Sequence, residues 1–331
     1  MNEFDWIQTY LRPLAGPEGL NLLDDAAIYS PRDNQDLILT QDTLIEGVHF
    51  FKGEYGAGTA SRLMAVNLSD LAAKGARPIG YLLSIAWPNH LSGSELQNWM
   101  AAFSRGLKTE QERFGFSLFG GDTVKTDGPM SISATFIGVV PKGEAVLRSG
   151  AKIGDGVWVT GNIGDAYLGL QLAQDPSEIL ASNPKPEDLW TWEAAFRHPT
   201  PRLLFRKTLR STATACADIS DGLLSEAGHI AKASQKRLTI NLHDIPLSSA
   251  SSWWSKLKEE ETAIVSLATA GDDYELLFTA SPEKDALVKS GAAKLNLRVS
   301  KIGIVSDGQG VGCLDSNGNC LTIERSGYSH D

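Results

Sequence analysis

The chain of 331 residues is 42% apolar and 21% charged, enough for about two globular domains of ~150 residues each. Forty Asp and Glu stand against 30 Lys and Arg, a formal charge of −10, which excludes the basic footprint of a nucleic-acid binder and adhesion to an anionic membrane. Small molecules or cations are the expected partners.

The N-terminal MNEFDWIQTYLRPL has neither the basic nor the apolar region of an export signal, and no later stretch approaches the ~20 apolar residues of a membrane span. Cys216, Cys313 and Cys320 show no CxxC spacing, so neither a zinc ribbon nor a disulfide framework is indicated and a reducing, cytoplasmic setting is expected. Leu37–Thr40 reads as a strand. The apolar stripe Leu63, Val66, Leu71 and Ala72 predicts a helix over Thr59–Lys74, ended by Gly75. A second helix is predicted over Ser94–Arg113 and a strand over Ile132–Val140. The turn-rich PKGEAVLRSGAKIGDG marks a boundary, giving domains 1–147 and 148–331. Beyond it the strand Val157–Thr160 opens a repeated pattern of strand, glycine turn and helix, and Tyr274–Thr279 closes it as a last strand. Residues 174–200 and 247–262 read as polar, Trp-bearing connections. The expected fold class is α/β (α+β).

The aspartates carry the chemical signal. Asp42 follows LILTQ, Asp122 follows SLFGG, Asp218 follows ATACA, and Asp272 with Asp273 follows LATAG, each where an apolar run would end as a strand. Asp24 and Asp25 precede AAIY, and Asp70 sits inside a helical segment, where a carboxylate is neither a cap nor a good helix former. Glu is absent from all these positions. Short, rigid oxygen ligands suit hard cations, and magnesium takes one or two carboxylates plus substrate phosphates, so several converging aspartates imply more than one ion on a polyphosphate. The plainer alternative, for any one of them, is a turn or an N-cap. ADISDG is the most specific segment: a strand delivers Asp218, and Ser220 and Asp221 open a helix whose N-terminus favours phosphate. In GNIGD a tight turn with Asp165 as helix cap is expected, and Asp315–Asn319 is read as a hairpin turn rather than a calcium loop. A GxxxxGK[ST] loop and the HRD and DFG triplets are missing, which excludes ordinary P-loop and protein-kinase sites. Six scattered histidines exclude a zinc hydrolase.

Seven segments in order, DDAA, TQDTLIEGVHF, AVNLSDLAAKGA, FGGDT, LRSGAK, ADISDGLLSEAGHI and GDDYELLF, resemble the thiamine-monophosphate kinase family, in the superfamily of aminoimidazole ribonucleotide synthetase. The resemblance implies a two-domain fold of that type, with an N-terminal mixed sheet contributing to the barrel of a homodimer and a C-terminal α/β domain that completes the site. It implies ATP-dependent phosphorylation of thiamine monophosphate to thiamine diphosphate, with several Mg2+ ions. Matched residue by residue, Asp25, Asp42, Asp70, Asp122, Asp218 and Asp221 are metal ligands, flanked by Thr40 and Gln41. Gly121, Asp122, Arg148 and Ser220 contact ATP, and His49, Asp272 and Tyr328 contact the substrate. Asp42, Asp122 and Arg148 are expected to carry the chemistry. Three positions depart from the family: Leu22 and Leu23 precede the first acids where glycine is common, Gln41 replaces a hydroxyl residue, and Asp272 stands where Glu is frequent. A phosphate monoester acceptor, with a second pKa of about 6, is largely dianionic at neutral pH and needs no general base. Tyr328 is the aromatic candidate for the cationic thiazolium, while Trp192, Trp253 and Trp254 are read as packing residues. The alternatives are another ATP-using member of the superfamily, such as aminoimidazole ribonucleotide synthetase, and a non-catalytic nucleotide- or cation-binding protein.

Overall fold

The structure, a computed structural model, describes residues 3–54 and 56–321, with 323 and 327. It divides into two compact units, the first running to Leu71 and resuming over Ala76–Gly143, the second comprising Ala72–Gly75 and the chain from Glu144.

In the first unit, α1 (Glu3–Trp6) leads through short helical turns to β1 (Gln35–Ile45), α2 (Ala57–Ala73), β2 (Arg77–Pro88), α3 (Gly93–Phe114), β3 (Ser117–Thr126) and β4 (Ser131–Pro141). The strands form one sheet in the order β1-β4-β2-β3, with β2 and β3 parallel and the other pairs antiparallel. Side chains alternate across a strand, so β4 sends Ile132, Ala134 and Phe136 to a face where all three are buried. Leu63, Met64, Leu68 and Leu71 of α2 and Phe103 and Leu107 of α3 are buried with them. Helix α3 stops at Gly115, whose φ of 73° suits glycine. The opposite face carries Leu82, Ser84, Ser133 and Thr135 beside an open cleft. Asp42 and Asp122, expected at strand ends, lie inside β1 and β3. Both are edge strands, where polar residues continue the alternation that an apolar run alone would have ended.

The second unit contains β5 (Gly156–Thr160), α4 (Asp165–Gln174), α5 (Ser177–Ala181), α6 (Pro186–Arg197), α7 (Arg206–Thr212), β6 (Ala213–Asp218), α8 (Leu223–Ser234), β7 (Arg237–Asn241), α9 (Ser249–Ser255), α10 (Glu260–Thr269), β8 (Leu276–Ala280), α11 (Asp285–Ala293), β9 (Val299–Ser306), β10 (Gly310–Leu314) and β11 (Cys320–Leu321). Its sheet runs β11-β10-β7-β9-β5-β8-β6. The interior strands β5 and β8 are buried at every residue, as strands covered on both faces must be. The stretches 174–200 and 247–262, read as connections, hold helices α5, α6 and α9. Trp192 of α6 is fully buried and its Nε1 donates to Ser251 Oγ at 3.1 Å, so its role is packing. Asp165 is not a cap: its carboxylate accepts from the hydroxyls of Ser248 and Ser251, because α4 starts with its first turn buried against α9. Asp272 and Asp273 follow helix α10 rather than a strand, and positive φ at Asp272 (70°) and Tyr274 (50°) delays the extended chain to Leu276. Asp315–Asn319 is the turn between β10 and β11, with Asp315 Oδ1 accepting from the backbone of Asn317 and Asn319. No helix among the described residues is long and apolar enough to cross a membrane.

Candidate active site

Strand β1 presents Thr40 and Asp42 on the side that meets α2. Thr40 Oγ1 donates to Asp70 Oδ2 in the last turn of that helix. Asp42 Oδ2 is buried and has no hydrogen-bond partner among the described residues. Burial, and then the neighbouring Asp70 carboxylate, push the Asp42 carboxyl up to about 7. An orphaned carboxylate oxygen beside a second acid fits a divalent cation, whose charge would remove both penalties. Among the described residues no group of three or more His, Cys, Asp or Glu is placed to hold a metal. Two carboxylates with remaining positions for water and phosphate is magnesium's usual mode.

On the sheet's other face a cleft of about 840 Å3 is lined by Asp25, Gln41, Ser84, Gly121, Asp122 and Thr135, among others. Gly121 is required there, since a Cβ would stand 1.8 Å from the Leu83 carbonyl oxygen. Gln41 Oε1 already accepts from Thr135 Oγ1 at 2.8 Å. The Asp25 loop is entered through Leu20, Asn21 and Leu22, all left-handed with φ of 50°, 58° and 54°, each a strained choice for a residue with a side chain. The chain supplies here the backbone shape that glycine provides more easily.

The structure therefore sorts the acids of this unit into two sets. Thr43, Ser133, Ser84 and Asp122 are successive partners across the sheet, so Asp122 shares the cleft face with Thr43 and Gln41, while Asp42 faces α2 from the opposite edge strand. Three strand spacings of ~4.8 Å separate their backbones. His49 joins neither set: it lies in the turn after β1, where its Nδ1 accepts from the Ile45 N–H at 3.1 Å. That bond assigns the hydrogen of the neutral ring to Nε2.

In the second unit, β6 ends at the buried Asp218, and Ser220, Asp221 and Gly222 lead into α8. The Asp272 loop is laced to this turn: Asp272 N donates to Ser220 O at 2.7 Å, Tyr274 N to Ile219 O at 2.8 Å, and Ile219 N to Glu275 O at 2.8 Å. Asp273 Oδ1 accepts from Gly164 N at 2.8 Å, and burial raises its carboxyl well above the usual range. Arg202 holds Glu275 through Nε and Nη2, and Glu275 also accepts from Thr160 Oγ1 at 2.6 Å. Arg148 pairs with Glu226 at 3.1 Å. Asp218, Ser220, Asp221 and Asp272 are thus gathered at one end of this sheet, and Arg148 and Asp218 both lie within electrostatic reach of Cys216. Tyr328 lies outside the described residues. The supports Glu226, Asp273, Glu275 and Arg202 were not among the expected site residues. The glycine of GNIG gave a signal for one of them, since a Cβ on Gly161 would collide with Glu275.

Residues 23–140 match the family model for the N-terminal domain of AIR synthase related proteins, and residues 152–315 match that for the C-terminal domain. The chain is 42% identical to the thiamine-monophosphate kinase of Caulobacter vibrioides over 99% of its own length and 90% of the relative's. It belongs to the thiamine-monophosphate kinase family. The crystal structure of the thiamine-monophosphate kinase from Stenotrophomonas maltophilia K279a superposes with a TM-score of 0.79 at 37% identity, covering 91% of each chain. The structure of AaThiL complexed with AMPPCP and TMP has a TM-score of 0.76 at 28% identity and covers 99% of this chain and 97% of its own. Membership in this kinase family agrees with the two-domain α/β architecture and with the resemblance read from the seven segments.

Proposed function

We propose that this chain transfers the γ-phosphoryl group of ATP to thiamine monophosphate, forming thiamine diphosphate and ADP. The observation that carries this reading is near-full-length similarity to thiamine-monophosphate kinases, supported by a related fold that binds AMPPCP and TMP.

The acceptor phosphate is itself the nucleophile, so the protein's task is to bring two anions together and align them. Asp42 and Asp70, with Thr40, hold a divalent cation on one face of the first sheet, and Asp122 and Asp25, beside Gln41, hold others in the cleft. Asp218 and Asp221 are the metal ligands of the second unit. These ions supply charge screening for the phosphates when bound. Gly121 lets a phosphate approach the β3 backbone, while Ser220 and Arg148 donate to phosphate oxygens. His49, with its hydrogen on Nε2, serves as a donor to substrate rather than as a base, and Asp272 faces the substrate from a loop fixed by four backbone and side-chain bonds to its neighbours.

A homodimer is part of the proposal. Among the described residues strand β1 is an unpaired sheet edge, and Leu39 and Leu82 on the open face are 66% and 41% exposed, a combination that invites pairing with a second copy. The three cysteines are free, in keeping with a cytoplasmic enzyme.

Incubation with ATP, magnesium and thiamine monophosphate should yield thiamine diphosphate and ADP in equal amounts. Nucleotide binding without diphosphate formation would reject the kinase reading.

A further inference from the structure

Arg148 is gripped at two places by one helix. Its carbonyl oxygen accepts from Ser234 Oγ at 3.3 Å, and that hydroxyl oxygen accepts from Ala151 N at 3.1 Å, which pins the Arg148 backbone to the last residue of α8. The guanidinium Nη2 meets Glu226 Oε2 at 3.1 Å in the first turn of the same helix. About two helical turns, roughly 12 Å, separate these two anchors. The side chain therefore runs back along α8 and brings its charge toward the helix end that follows Ser220 and Asp221.

The surrounding segment adds to the grip. Cys216 N donates to Leu147 O at 2.8 Å, and a Cβ on Gly150 would stand 2.4 Å from Thr214 O, so the backbone on either side of Arg148 lies close against β6. Among the described residues the guanidinium's ion pair is with Glu226. The partners differ sharply in exposure, at 1% for the Glu226 side chain and 47% for Arg148. The pair thus joins a buried carboxylate to a half-open guanidinium. Buried acid is costly unless paired, and a guanidinium carries five N–H donors, more than one carboxylate oxygen uses.

We infer that Glu226 is a positioning residue for phosphoryl transfer: it acts through Arg148, holding the guanidinium oriented for a phosphate of ATP before the nucleotide arrives. This rests on the reading of Arg148 as a phosphate contact. Without Glu226 the Arg148 side chain would be ordered at the moment of binding, which weakens affinity by about 10- to 30-fold.

The test measures AMPPCP affinity in magnesium, and KM and kcat, for Glu226→Gln, Arg148→Ala and the double variant. Glu226→Gln should raise the KM for ATP and the Kd for AMPPCP about tenfold, with kcat and the KM for thiamine monophosphate within about twofold of the parent. In the Arg148→Ala background the same change should have no further effect. An unaltered KM for ATP with only a lowered melting temperature would make Glu226 a structural residue and overturn the inference, as would full additivity of the two changes. Parental nucleotide affinity in Arg148→Ala would instead overturn the reading of Arg148, and the inference with it. Should Glu226→Gln fail to fold, Glu226→Asp gives the same comparison, with an intermediate loss that disappears in the Arg148→Ala background.

Discussion

Asp70 Oδ2 accepts the hydroxyl of Thr40, and on the same face of β1 the neighbouring Asp42 keeps a buried oxygen with no hydrogen-bond partner among the described residues. The Asp42 carboxyl, raised from 3.8 to about 7 by burial and by Asp70, binds its proton more tightly in the folded state. Its contribution is therefore complete below pH 3.8 and is lost as the pH rises toward 7. In chelator, Asp42→Asn should melt higher than the parent at pH 8, and the gap should narrow as the pH falls below 7 and close only below about pH 4. Added magnesium should raise the parent's melting temperature by more than the variant's, which keeps only the gain from the other cation sites. Parallel pH profiles for the two proteins would refute this assignment.

Asp122 is exposed on the cleft face, where its removal disturbs no packing. Asp122→Asn should keep its melting temperature and lose turnover about 100-fold, equivalent to roughly 3 kcal/mol of transition-state stabilisation. Magnesium-dependent ATP binding should weaken in parallel. Near-normal rates would remove Asp122 from the catalytic set.

Glu275 links Arg202 and Thr160 under the Gly161 turn. Glu275→Ala leaves a largely buried guanidinium without its acid, and should cost about 3 kcal/mol in denaturant unfolding, at the low end for a broken buried pair because Arg202 keeps some solvent. A loss below about 1 kcal/mol would show that the network tightens on the loops without stabilising the fold.

Leu39 points from edge strand β1 into solvent. A lysine there blunts an open edge, so Leu39→Lys should shift the protein from dimer to monomer in sedimentation while the monomer stays folded. A parent that sediments as a monomer at all concentrations would reject the dimer.

Much of the fold and of the site is legible in the sequence. The apolar stripe of α2, the strands around Ile132 and Val157, and the Asp218 turn follow from periodicity and from the special needs of glycine. What periodicity missed has a physical cause in each case. Helix α6 buries Trp192 and Phe196 among charged neighbours, so its short apolar face was masked by composition. Asp165 looked like a cap because caps and buried hydrogen-bonded acids share a position after a glycine, and only the arrival of Ser248 and Ser251 from far along the chain distinguishes them. The two-sided placement of Asp42 and Asp122 depends on sheet order, which the acids' own spacing does not encode. Glu226 gave no local signal, since an acid in the first turn of a helix is already explained by the helix dipole.

The alternation of β1 makes its length a coded quantity. Thr40 and Asp42 face the helix while Gln41 and Thr43 face the cleft, and the strand is paired with β4 at every residue from Gln35 to Ile45. Deleting or inserting a single residue upstream of Thr40, within the pairing, would trade the two sets and put the acid into the cleft and the amide against Asp70. Relatives that retain this chemistry should accordingly vary β1 by substitution and confine their insertions and deletions to the turns on either side.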